Sequence, residues 1–165
     1  MVGCVPSKRI SVDEYRIFDK KGSLQISEGK NAIGQIIENR SPWVNGFSYL
    51  DGYNQMRSSS IQNMSNNNIL EVYDSEGPIG SIEYISHSDE RNNNIFILRN
   101  YLDGQSYRSK NIGRLGSNVP IEILDKDGNK ILVIRDYGNG RWMIINYSDL
   151  SPDLFLHIMM YRNIN

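Results

Sequence analysis

Between residues 91 and 114 the chain places Arg91, Arg99, Arg108, Lys110 and Arg114 against one acid, Asp103, with Tyr101 and Tyr107 interleaved. Guanidinium groups pair phosphate or carboxylate oxygens two at a time, and a nearby tyrosine adds a ring face or a hydroxyl. Arg99, Arg108, Lys110 and Arg114 are therefore the candidate anion contacts. A solvated strand face followed by a basic loop is the other reading of the same residues. The choice depends on whether the side chains converge in space.

Other chemistry has less material. Two histidines, His87 and His157, and one cysteine, Cys4, form no recognisable nucleophile–base spacing, and no P-loop, zinc-hydrolase, serine-elbow or dinucleotide motif is present. No catalytic residue is assigned; a hydrolase assembled from scattered carboxylates is the enzymatic alternative. Asp125, Asp127, Asn129 and Asp136 have near-calcium-loop spacing, but Lys130 stands where that loop needs glycine, so the segment reads as a hairpin turn. Neither a metal nor a cofactor is expected. Cys4, alone, cannot build an internal disulfide or a multi-cysteine zinc site; beside Lys8 and Arg9 it is a candidate for S-acylation.

The elements that must position these residues show a recurring pattern: alternating apolar residues, Asp, two residues, Gly, then a second apolar run. It occurs at Tyr15–Ile26 around Asp19 and Gly22, at Leu70–Ile79 around Asp74 and Gly77, and at Ile121–Ile134 around Asp125 and Gly128. The Asp carboxylate can accept turn N–H groups while Gly takes the positive φ that follows a type I turn, so each copy predicts a β-hairpin. A spacing of roughly 50 residues raises the idea of an internal duplication. Further strands are expected in "NAIGQIIENR", "GSIEYISHS", "NIFILRNYL" and "RWMIINY". "RSSSIQNMSNNN" and "SHSDERNNN" read as long loops, and the run holding Trp43, Phe47, Tyr49 and Tyr53 as an aromatic loop, either a contact surface or a small core of its own.

The closing segment predicts a helix over 151–164. Ser148 and Ser151 offer N-cap oxygens, Pro152 suits the first turn, and Asp153 complements the positive end of the dipole. Its apolar residues, Leu154 to Ile164, cover most of the circumference, while about 14 residues rise only roughly 21 Å, short of a membrane span. Enclosure by protein is the better account, so the helix is expected as the plug of a barrel. Packing on one open face of a twisted sheet is the alternative. His157 is read as a core-boundary residue with backbone or solvent partners.

At 165 residues, one domain is expected over 12–165 with an arm over 1–11. The fold class is mainly β: an antiparallel barrel or strongly curved sheet of about ten to twelve strands around the C-terminal helix. The 18 basic and 19 acidic side chains leave a net charge of −1, which argues against dedicated nucleic-acid binding. No apolar run has signal-peptide or membrane-span length, so a cytoplasmic protein, peripheral to a membrane at most, is expected.

"YRIFDKKGSLQI", "LEVYDSEGPIGSIEYIS", "IEILDKDGNKILVIRD" and "PDLFLHIMMYRNI" together make the sequence resemble the tubby C-terminal-like superfamily, which includes phospholipid scramblases and plant LURP-one-related proteins. That resemblance implies a barrel of roughly twelve antiparallel strands around a hydrophobic C-terminal helix. It also implies a non-catalytic binding module, holding phosphoinositide or other anionic groups at a membrane surface, or a protein partner. Lacking a cysteine cluster, a Pro-rich extension and a membrane-length C-terminal segment, the sequence gives no ground for scramblase activity. A structural or assembly protein making protein–protein contacts is the alternative function.

Overall fold

A computed structural model of the protein describes residues 12–40, 45–62, 68–86, 94–110 and 119–163. Twelve strands follow in chain order: β1 (Asp13–Lys20), β2 (Ser23–Glu28), β3 (Asn31–Arg40), β4 (Asn45–Asp51), β5 (Met56–Gln62), β6 (Ile69–Asp74), β7 (Gly77–Ser86), β8 (Asn94–Asn100), β9 (Gln105–Ser109), β10 (Ile121–Leu124), β11 (Lys130–Gly138) and β12 (Arg141–Asn146). Each pairs antiparallel with its sequence neighbours, and β12 pairs with β1, so the sheet closes into a barrel. Closure removes both edges, which would otherwise expose unpaired backbone groups.

All three Asp-x-x-Gly segments form hairpins, by different turns. Lys20 pairs with Ser23, leaving the two-residue turn Lys21–Gly22 with φ of 52° and 92°; a primed turn of this kind matches the twist of its strands. At the third copy the Asp125 carboxylate accepts the N–H groups of Asp127 and Asn129, and Gly128 takes φ 85°, as the sequence pattern predicts. Because β1–β2 turns at one end of the barrel and β6–β7 and β10–β11 at the other, the first copy does not occupy a position equivalent to the other two.

The loop expected at "RSSSIQ" is strand β5, and the aromatic loop contains strand β4. Phe47 and Tyr49 point into the main core, Tyr53 is 88% exposed at the β4–β5 turn, and Trp43 lies outside the described residues. β5 escapes sequence reading because its inward residues, Ser58 and Ser60, are polar: they face a polar group on the helix instead of a hydrocarbon.

That helix fills the barrel. Ser151 caps it by accepting the N–H of Asp153, and after a short α-helix, α1 (Pro152–Phe155), the chain continues as a 3₁₀ helix over Leu156–Asn163. The expected α-helix over 151–164 is therefore mostly 3₁₀. A 3₁₀ run beyond about four residues is uncommon, and its tighter winding gives a slimmer rod for an enclosed site. Leu154, Phe155, Leu156, Ile158, Met159 and Tyr161 are all buried, alongside Tyr15, Ile17, Leu98 and Ile144 from the strands. Phe155 meets Tyr15 edge-on at 5.3 Å between ring centroids, and Tyr161 meets Phe96 at 5.5 Å, so the helix touches walls on opposite sides of the lumen.

Gly80 on β7 makes room for this helix. A Cβ there would run into the Arg99 carbonyl oxygen and sit 2.7 Å from Leu154 Cδ1. Gly80→Ala is expected to destabilise the protein by about 2–4 kcal/mol, because backbone and plug would both have to shift. A urea titration would read this as a lowered midpoint with an unchanged slope; an unchanged midpoint would place Leu154 elsewhere.

Candidate functional site

The lumen holds one arrangement that resembles catalytic machinery. His157 Nε2 lies 2.8 Å from Ser58 Oγ, and His157 Nδ1 lies 2.9 Å from Ser60 Oγ. Ser58 donates its hydroxyl hydrogen to the Asp153 carbonyl at 2.6 Å, so its oxygen accepts from Nε2–H, and Nδ1 is left to accept from Ser60. Burial pushes the imidazole pKa down to about 3, and Ser58 and His157 are each 1% exposed. A serine whose proton is held by a carbonyl, in a packed lumen, is not an activated nucleophile. The three side chains form a neutral bridge between helix and wall. The boundary position expected for His157 is thus replaced by full burial, with two serine side chains as partners.

The outer wall is where charge collects. Strand alternation turns Arg99, Arg108 and Lys110 outward on the face formed by β8 and β9, so these three share one surface. Two are neutralised there: Arg99 Nη1 donates to Glu83 Oε2 at 2.9 Å, and Lys110 Nζ lies 3.2 Å from Glu122 Oε2. Lys130 Nζ takes the other Glu122 oxygen at 2.8 Å; hydrogen bonds from Lys130 and then Lys110 hold this carboxyl below its ordinary pKa. Arg108 stands between the pairs with no side-chain partner among the described residues.

The interleaved tyrosines are directed elsewhere. Tyr107 points inward and donates its hydroxyl to Asp103 at 2.7 Å; burial, then that bond, pushes its pKa up to about 12. Tyr101 donates to Glu71 at 3.1 Å. Arg91, Arg114, His87 and Cys4 lie outside the described residues. The Asp125 carboxylate is engaged by its own turn, where the bonds from Asn129 lead in holding its pKa down, and no group of metal-ligating side chains occurs among the described residues.

A second basic surface emerges where the barrel closes. Register sets Arg16 of β1, Met143 of β12 and Arg135 of β11 in one outward row, with Phe18 and Arg141 in the next. A bulge between Asp136 and Gly138 extrudes Tyr137 beside them, and the Asp136 carboxylate accepts the Gly138 N–H at 2.7 Å. The tight turn that follows, Asn139–Gly140, has φ of 56° and 69° and brings Arg141 back against β11. Glu14, Arg16, Phe18, Tyr137, Arg141, Trp142 and Met143 line a groove of about 420 Å³. Arg16, Arg135 and Arg141 have no ion-pair or hydrogen-bond partner for their side chains among the described residues.

No protein-family model matches the sequence, and no curated protein matches it. The crystal structure of a protein from Arabidopsis thaliana does superpose, over 93% of this chain and 91% of that one, with a TM-score of 0.52 and 9% sequence identity. The likeness is one of fold. It extends over nearly the whole of both chains, so the barrel fold is shared; at 9% identity it carries no side-chain chemistry across. No helix of the described residues is long and apolar enough to cross a membrane.

Sequence reading missed Arg16, Arg135 and Arg141. Part of the signal was present: "RDYGNGR" is a hairpin turn with an arginine on each flank. Pairing of the first strand with the last, which adds Arg16, has no local signature.

Proposed function

We propose that the protein is a non-catalytic binding module of the tubby-like type, which holds anionic groups on the outer wall of its barrel, with anionic lipid head groups at a membrane surface as the ligands. The observation that carries this reading is the distribution of charge around the wall. From β8 round to β1 the outward cations of the strands and their ends are Arg99, Arg108, Lys110, Lys130, Arg135, Arg141, Arg16 and Lys20, against Glu83 on the flanking β7, Glu122 and Glu14, with Asp103, Asp125 and Asp127 confined to the turns. Over β2 to β7 the cations among the described side chains are Lys30, in the β2–β3 turn, and Arg57, which is bridged to Asp153 at 3.3 Å. A chain of net charge −1 thus concentrates positive charge on one side, which orients it toward a negative surface.

A packed lumen supports the same reading, since a ligand has to be met from outside. Sedimentation with vesicles tests it. Binding is expected to require phosphoinositide or another anionic lipid, to weaken as salt rises, and to fall severalfold in Arg108→Glu/Lys110→Glu. Binding indifferent to lipid charge and to both substitutions would overturn the proposal, and a concentration-dependent oligomer that ignores lipid would favour an assembly protein instead.

A further inference from the structure

Arg16, Arg135 and Arg141 pose a physical problem. At the usual spacing of about 4.8 Å between strands and roughly 7 Å between same-face residues, their Cα atoms stand within roughly 10 Å of each other around Met143. Three like charges this close repel one another, and no carboxylate among the described residues forms an ion pair with any of them. The cations on β8 and β9, by contrast, are largely paired with Glu83 and Glu122. An unneutralised cluster with Phe18 43% exposed and Tyr137 54% exposed at its side is a surface with a missing counterpart.

We propose that this groove docks a short acidic segment of a partner protein, its carboxylates on Arg16 and Arg141 in the groove and on Arg135 beside it, and an apolar or aromatic side chain against Phe18, Met143 and Tyr137. The geometry narrows the occupant in three ways. A groove on the convex wall of a barrel covers a ligand from one side, whereas small molecules are usually enclosed over most of their surface. A flat bilayer touches such a wall without filling its groove, while an extended chain segment lies along it; positions 14 to 18 span about 13 Å, room for about four residues. Pairing of β1 with β12 leaves no strand edge, so the segment is held by side chains and not by added backbone ladder bonds. Glu14 at one end repels a carboxylate there and sets the direction in which the acidic residues lie.

The groove shares its arginines with the basic side of the barrel, but the lipid test rests on Arg108 and Lys110, so the two can be tested apart. A random-peptide array probed with the full-length protein is expected to enrich sequences with alternating Asp or Glu and one aromatic or aliphatic residue. The best of these, labelled for fluorescence anisotropy, should lose at least about tenfold in affinity to Arg16→Glu/Arg141→Glu and be unchanged by Arg108→Glu/Lys110→Glu. Both arginines being on the surface, the groove variant should keep the wild-type melting temperature, which separates lost docking from lost fold. Absence of acidic enrichment, equal binding by the groove variant, or a preference for single-stranded DNA or anionic vesicles at this groove would each overturn the assignment.

Discussion

Removal of residues 152–165 is expected to abolish cooperative unfolding. Six large apolar side chains of this segment are buried, at about 1.5–3 kcal/mol each, so the loss is on the order of 10 kcal/mol. Whole domains are stable by about 5–15 kcal/mol, and an emptied lumen would also leave Tyr15, Phe96 and Leu98 facing a void. The truncated chain should bind hydrophobic dyes, lack a sharp thermal transition and aggregate. A soluble remainder melting cooperatively near the wild-type temperature would show that the strands support a barrel without their plug.

The second large effect is one of pH. His157 has a pKa of about 3 in the folded protein and about 6.5 when unfolded, so between those values the unfolded chain holds a proton that the folded chain lacks. Stability contributed by the neutral ring is present above pH 6.5 and declines on acidification, by about 1.4 kcal/mol per pH unit once the unfolded imidazole is protonated. Glu122 and Asp125, whose pKa values are lowered, add their own losses as pH falls through the ordinary carboxyl values of 4.5 and 3.8. The interval from pH 6.5 to about 5.5 therefore reports His157. Urea unfolding across it should show the decline in wild type and a flat profile in His157→Gln, which cannot take up the proton. Parallel slopes in the two proteins would mean that the ring is already charged in the fold.

Local chemistry explains which parts of the fold are legible in the sequence. An Asp carboxylate and a glycine at a turn act over a few residues, so the hairpins β1–β2, β6–β7 and β10–β11 can be read directly. The enclosed helix is legible because side chains that are apolar all round need protein on every side. Strands β4 and β5 are hidden: the polar inward face of β5 answers to His157, almost a hundred positions away in the chain. The anion site divides in the same way. Arg99, Arg108 and Lys110 are recognisable as a local basic run, but their ion pairs with Glu83 and Glu122 depend on strand register.

By itself, then, the sequence determined a mainly β chain with turn-coded hairpins and a helix that has to be enclosed. Tertiary structure decided which charges survive unpaired and where they meet. The physical reason is range: turn and burial preferences act within one element, whereas Arg16 meets Arg135 and Arg141 only because ring closure sets the first strand against the last.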